Sequence, residues 1–161
     1  YLPEEAGAYK NMNGEAYLHF VAELFYAERE AQEAALERGR AITDLGDRLR
    51  DKLGSYSKGM TRKLLLARTL MTEPKLAILD EPTSGLDVLN ALEVRDTIKR
   101  QASGGTAVLL SSHNMLEIEY LSDRVALINK GEIVAGGTPS QLKETYSSGN
   151  LEEVFAEVAR R

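Results

Sequence analysis

The chain has 161 residues, about one domain's worth, and 43% of them are hydrophobic, enough for a packed core. Charged residues of both signs make up 28% and leave a net charge of −5, which fits a globular protein and argues against one built to hold nucleic acid. There is no cysteine, so disulfides and thiolate metal sites are excluded, and no apolar run approaches the roughly 20 residues of a membrane-spanning helix.

Tyr1-Leu2-Pro3-Glu4 reads as extended, because a proline disfavours helix at the residue before it. From Asn13, the residues Tyr17, Phe20, Val21, Leu24 and Phe25 recur at helical spacing and predict one buried stripe. Charge-rich helix is expected to continue through Ala31, Ala34, Ala35 and Leu36 to about Gly39, with an amphipathic piece over 42–53. A further helix is expected from about Ser57 to Thr72, stopped by Glu73-Pro74. Its residues Leu64, Leu65, Leu66, Ala67, Leu70 and Met71 cover much of its circumference, so it should be well buried.

After Pro74 the texture changes. A strand over 75–80, a helix over 88–102 ended by Gly104-Gly105, a strand over 106–112 and a short helix over 115–121 follow in turn. Strands alternating with helices imply parallel pairing in an α/β sheet. Residues 124–129 and 132–135, joined around Lys130-Gly131, predict a hairpin. Thr138-Pro139-Ser140-Gln141 and Asn150-Leu151-Glu152-Glu153 each put Gln or Glu three residues after a capping residue, which predicts two capped helices.

The chemistry concentrates in three places. Leu76-Ala77-Ile78-Leu79 is a strand expected to be buried on both faces, and it delivers Asp80 and Glu81 to its C-terminal end, where ligands sit in open α/β sheets. One carboxylate there can hold a water of Mg²⁺, and a second can polarise a water that attacks a phosphate. Pro82 halts the strand, Ser84-Gly85 supplies a turn, and Asp87 can cap the next helix. Upstream, Ser57 is placed to cap an apolar helix whose free N–H groups favour anions, while Gly59 lets a ligand approach the backbone. Downstream, the strand Thr106 to Ser112 delivers His113, whose imidazole can donate to a phosphate oxygen. The other histidine, His19, has no partner in its sequence neighbourhood and no assigned role. Gly54-(x)4-Gly59-Met60-Thr61 has P-loop spacing, but Met60 stands where the lysine is needed and no strand precedes it.

The string Asp80 to Asp87, DEPTSGLD, resembles the Walker B motif and D-loop of ABC-transporter ATPases. Tyr56-Ser57-Lys58-Gly59-Met60 is similar to the family's signature loop, usually LSGGQ. Ser57 and Gly59 match that pattern; Tyr56, Lys58 and Met60 depart from it. His113 matches the switch histidine, and Tyr1-Leu2-Pro3-Glu4-Glu5 resembles the Q-loop with Glu4 where glutamine is usual. Asp123-Arg124-Val125, Lys130 to Val134 and Gly137-Thr138-Pro139 resemble the family's closing hairpin, and Asn150 to Phe155, NLEEVF, the tail of exporter-type subunits.

This resemblance implies the C-terminal part of a P-loop (RecA-like) ABC ATPase domain: an α/β fold with a parallel sheet flanked by helices and an α-helical signature subdomain at its N-terminal end. Residues 1–73 would be the Q-loop remnant and helical subdomain, 74–137 part of the RecA-like core, and 138–161 the C-terminal helices. It implies ATP and Mg²⁺ as cofactors, Glu81 and His113 as catalytic residues, and Asp80 at the metal. Ser57, Lys58, Gly59, Met60, Asp87 and Glu4 would be nucleotide-binding. The implied partners are a transmembrane permease and a second ATP-binding subunit, identical or related, at the cytoplasmic face of the membrane. The family's aromatic loop and Walker A motif, which precede the Q-loop, are missing from these residues, and the first residue is Tyr1. A fragment that binds ATP weakly on its own and is inactive alone is therefore expected. Two alternatives stay open: a soluble ABC ATPase of DNA repair or translation, and a non-catalytic interaction remnant.

Overall fold

In a computed structural model, which describes residues 1–4, 7 and 9–160, the chain divides into two compact units, Tyr1–Ser111 and Ser112–Arg161. Glu5, the last residue of the Q-loop resemblance, lies outside the described residues.

The first unit begins with Leu2 laid parallel beside Leu79; its N–H donates to the Ile78 carbonyl at 2.9 Å, and its own carbonyl accepts from the Asp80 N–H at 2.8 Å. Helix α1 (Gly14–Phe25) starts at Asn13, whose side chain accepts from the Ala16 N–H at 2.7 Å. It stops at Tyr26, and α2 (Arg29–Thr43) follows, so the continuous helix expected to Gly39 is in fact two. The break lets α2 turn back against α1 and α3 (Lys58–Leu70), and the Tyr26 hydroxyl fixes it by donating to the Thr72 carbonyl at 3.1 Å. The buried stripe of α1 also differs from expectation. Tyr17, Leu18, Val21 and Ala22 face the core, while Phe20, Leu24 and Phe25 are exposed. Because α1 is apolar on more than one side, spacing alone does not choose the inward face.

The amphipathic piece expected over 42–53 is the end of α2 followed by two 3₁₀ turns, Gly46–Arg50 and Leu53–Ser55, with Leu49 and Leu53 buried. Helix α3 is as buried as its composition requires: Leu64, Leu65, Leu66, Ala67, Leu70 and Met71 are all inside. Strand β1 (Leu76–Asp80), helix α4 (Val88–Ser103) and strand β2 (Ala107–Ser111) form a parallel crossover, in register from Leu76↔Ala107 to Asp80↔Ser111. The expectation of strands buried on both faces fails here. Ala77 and Leu79 are buried, but Leu76, Ile78 and Leu109 on the opposite face are 53%, 40% and 61% exposed. The described sheet has two strands, and one of its faces carries no cover.

In the second unit, helix α5 (Met115–Leu121) precedes a hairpin of β3 (Val125–Asn129) and β4 (Glu132–Gly137). Both turn residues have positive φ, 50° at Lys130 and 84° at Gly131, as a two-residue hairpin loop of the favoured hand needs. Helix α6 (Pro139–Thr145) has the expected reciprocal cap between Thr138 and Gln141, at 3.1 and 3.0 Å. Helix α7 (Leu151–Ala159) is capped by Asn150, which accepts from the Glu153 N–H at 2.9 Å. Val125, Leu127, Leu142, Leu151, Val154 and Val158 form this unit's core.

Candidate functional site

The C-terminal end of β1 leads directly into the acidic pair. Asp80 closes the strand, and its carboxylate accepts a hydrogen bond from the Ser111 hydroxyl at the same level of β2. Glu81 follows with φ of 46°, a left-handed backbone that a side chain adopts at a cost of about 1–3 kcal/mol. What holds it there is a bond from the Glu81 N–H to the Ser111 carbonyl at 3.0 Å and one from the Ser84 N–H to the Glu81 carbonyl at 3.1 Å. Ser111 thus holds both acids, one through its hydroxyl and one through its backbone.

The next turn ends in a cap. Asp87 accepts from the Asn90 N–H at 3.0 Å and from the Asn90 side-chain amide at 2.6 Å, starting α4. The Asn90 backbone bond, then its amide, hold the Asp87 carboxyl below its usual range. Ser57 starts α3 in the same way, accepting from the Met60 N–H at 3.2 Å.

These two helix starts touch. Gly59 is buried, and a Cβ placed on it would lie 2.6 Å from the Asn90 side chain. The glycine expected to admit a ligand therefore also admits Asn90. Lys58, which replaces a second glycine of the family pattern, lies across Gly85. There φ is +64°, and a Cβ would collide with the Lys58 ammonium. The signature-like loop and the turn after the acids are in this way packed into one surface.

Glu4 joins that surface from the N-terminal segment. Its carboxylate accepts from the Ser84 hydroxyl at 3.1 Å, and its backbone carbonyl accepts from Arg62 Nη2 at 2.7 Å. Arg62 Nη1 donates to the Pro3 carbonyl at 3.0 Å, so one guanidinium on α3 clamps two successive carbonyls. Arg62 is only 5% exposed. Burial pushes its pKa down, against the opposing pull of Glu4 and Asp80. An open cavity of about 610 Å³ is lined by Glu4, Lys58, Thr61, Arg62 and Ser84. A cavity of similar size beside Lys63, Glu93 and Arg100 holds none of the residues selected from the sequence.

The first unit thus holds Asp80, Glu81, Asp87, Ser57, Lys58, Gly59, Met60 and Glu4; its contacts join Glu4 to Ser84, Lys58 to Gly85 and Gly59 to Asn90, and the acids connect to these through the turn that follows them. His113 belongs to the second unit, exposed on the segment that leads into α5. Among the described residues no three acids or histidines cluster as a metal site. One or two carboxylates suit Mg²⁺, which keeps several waters and takes further ligands from phosphates. The contributions of Arg62, Ser84, Asn90 and Ser111 were not read from the sequence. Only Arg62 left a signal there, as a charge on the apolar side of a buried helix.

Residues 1–84 match the family model described as ABC transporter. The daunorubicin resistance ATP-binding protein DrrA3 of Streptomyces coeruleorubidus is 35% identical over 99% of this chain and 48% of its own length. A fluoroquinolones export ATP-binding protein of Mycobacterium tuberculosis is 40% identical over 84% of the chain and 44% of its own length. The linearmycin resistance ATP-binding protein LnrL of Bacillus subtilis is 33% identical over 88% and 45%. A solved structure of an ATP-binding subunit of an ABC transporter superposes with a TM-score of 0.83 at 26% identity, covering 98% of this chain and 67% of that one. The chain spans about half the length of the curated relatives it matches.

Proposed function

The chain belongs to the ABC transporter ATP-binding family, and from that premise we propose that it supplies part of an ATPase subunit that drives a membrane permease, of the exporting kind. The observation that carries the reading is the joint placement of Asp80 and Glu81 by Ser111, beside a signature-like helix start packed against the turn that follows them. The relatives, which are export and resistance ATP-binding proteins, support the exporting kind.

Each residue then has a task its geometry suits. Asp80, steadied by the Ser111 hydroxyl, would hold a water of Mg²⁺, and that ion would supply positive charge to the phosphates of bound ATP. Glu81 would accept a proton from the attacking water as its oxygen bonds the γ-phosphorus and the bond from that phosphorus to the oxygen bridging it to the β-phosphate breaks, leaving ADP and phosphate. Ser57, Lys58, Gly59 and Met60 present the α3 N-terminus to the γ-phosphate of ATP held by a second ATP-binding subunit, with Asp87 alongside. His113 holds a γ-phosphate oxygen. Glu4, tied to Ser84 and to Arg62, reports the state of this site to the permease. Among the described residues no helix is long and apolar enough to cross a membrane, and the proposed place is peripheral, at the cytoplasmic face.

The test is Glu81→Gln in a polypeptide that joins this chain to a Walker A segment. ATP binding should persist while hydrolysis falls by at least about 100-fold, the scale of a lost general base. Normal turnover by that variant would remove Glu81 from the role.

A further inference from the structure

Glu117 is fully buried, and the reaction above makes no use of it. A carboxylate is expensive to bury without donors, so its partners indicate its purpose. The Ser112 hydroxyl donates to Glu117 Oε2 at 2.6 Å. That same hydroxyl accepts from the Asn114 N–H at 3.1 Å. The Asn114 side chain in turn accepts from the N–H groups of Leu116 at 3.1 Å and Glu117 at 3.2 Å. These bonds close a ring, and His113 lies inside it, between two residues each fastened to the first turn of α5.

The direction of the bonds matters. The Ser112 hydroxyl has one proton, and the Asn114 N–H occupies one of its lone pairs, so the proton is directed at the carboxylate. The backbone on either side of His113 then cannot drift without breaking one of these bonds. The imidazole itself stays exposed.

We propose that Glu117 is a positioning residue for His113: through the Ser112 hydroxyl, its buried carboxylate fixes the turn that presents the imidazole. The functional value of this rests on reading His113 as a phosphate-holding group; the positioning itself is a separate claim with its own readout.

The chain has two histidines, so its imidazole ¹H–¹⁵N spectrum contains His113 as the reporter and His19, in the other unit, as the control. The unaltered chain should give one sharp set of ring signals for His113. Ser112→Ala and Glu117→Ala should shift and broaden them by more than a linewidth as the ring samples further rotamers. Glu117→Gln, whose side-chain carbonyl still accepts from Ser112, should restore them. His19 should stay in place throughout. Leu142→Ala loosens the core of the same unit without touching the ring of bonds, and should leave His113 where it is. If Glu117→Ala does not fold, Ser112→Ala decides, because Ser112 is only half-buried. Unmoved His113 signals in Ser112→Ala, or an equal displacement in Leu142→Ala, overturn the proposal. Full ATPase activity of His113→Ala in a nucleotide-binding polypeptide would instead defeat the phosphate-holding role and leave the positioning result standing.

Discussion

Replacing Arg62 by methionine isolates the clamp between α3 and the segment that carries Glu4. Methionine keeps most of the apolar stem and removes the guanidinium, so the packing loss is small and the polar loss is well defined. Two hydrogen bonds disappear, to the carbonyls of Pro3 and Glu4. Each bond from a charged donor is worth about 1.5–3 kcal/mol net. Two terms offset that loss. Burial already disfavours the charge of Arg62, and removing it recovers some desolvation; Pro3 is half-buried and Glu4 exposed, so both carbonyls can take water instead. The remainder is about 2 kcal/mol, or roughly 30-fold in a local opening equilibrium. The chain has two units, so a single denaturation midpoint mixes them, and amide hydrogen exchange is the better measurement. The amides of Leu2 and Asp80, which bind Ile78 and Leu2, should exchange about 30-fold faster. Those in the middle of α3 should change little. Arg62→Lys keeps the charge but not the fork, and should fall about halfway. Unchanged exchange at Leu2 and Asp80 in Arg62→Met would show that β1 and the bonds from Ser84 and Arg68 hold the segment without it, and would refute the clamp.

Three further outcomes follow from the same geometry. Gly59→Ala should destabilise the first unit by about 1–3 kcal/mol through overpacking against Asn90, with part of the loss recovered in Gly59→Ala/Asn90→Ala; a double-mutant cycle on amide exchange in α3 reads the coupling. Asp87 has a depressed folded-state pKa, so its stabilising contribution is present above the usual value of 3.8 and disappears as pH falls through the lower folded value. The Asn90 amide should lose protection over that acid window in the unaltered chain but not in Asp87→Asn, and equal pH profiles would contradict the cap. Residues 1–161 contain no GxxxxGK[ST] sequence, so calorimetric titration of this chain with MgATP should show no tight binding; a micromolar, Mg²⁺-dependent site would overturn that.

What the sequence reveals best is whatever depends on neighbouring residues. The caps at Ser57, Asp87, Thr138 and Asn150 are all present, because each needs only a side chain and an N–H two or three residues on. The parallel crossover was equally legible from alternating strand and helix. Burial was not, because it depends on what lies opposite. Ala77 and Leu79 are covered while Leu76 and Ile78 are not, although all four look alike as a strand. The inward face of α1 was hidden for the same reason. Arg62 and Ser111 escaped because their partners are far away in sequence, as is the Gly59 that Asn90 packs against, so no local spacing could show that Arg62 reaches Pro3 or that Ser111 reaches Asp80.

That difference bears on how the site works. Read along the chain, Ser57 to Met60 and Asp80 to Asp87 are separate motifs, each with its own local reason to exist. Folded, they are joined at Gly59 against Asn90, Lys58 against Gly85, and Glu4 against Ser84. Two of these joints need a glycine, and one of them, Gly59, lies in the loop proposed to approach a phosphate. The missing side chain at Gly59 thus serves both the packing within the unit and the proposed approach of a nucleotide held by another. A substitution at Gly59 should therefore impair stability and nucleotide contact together. A substitution at Lys58, which is exposed, should separate them: Lys58→Gly returns the family pattern, frees the turn at Gly85, and should leave the stability of the first unit, read by amide hydrogen exchange in α3 and α4, within about 0.5 kcal/mol. If the loss goes well beyond that, the Lys58–Gly85 contact is a structural brace and the cation's proposed reach toward phosphate loses its support.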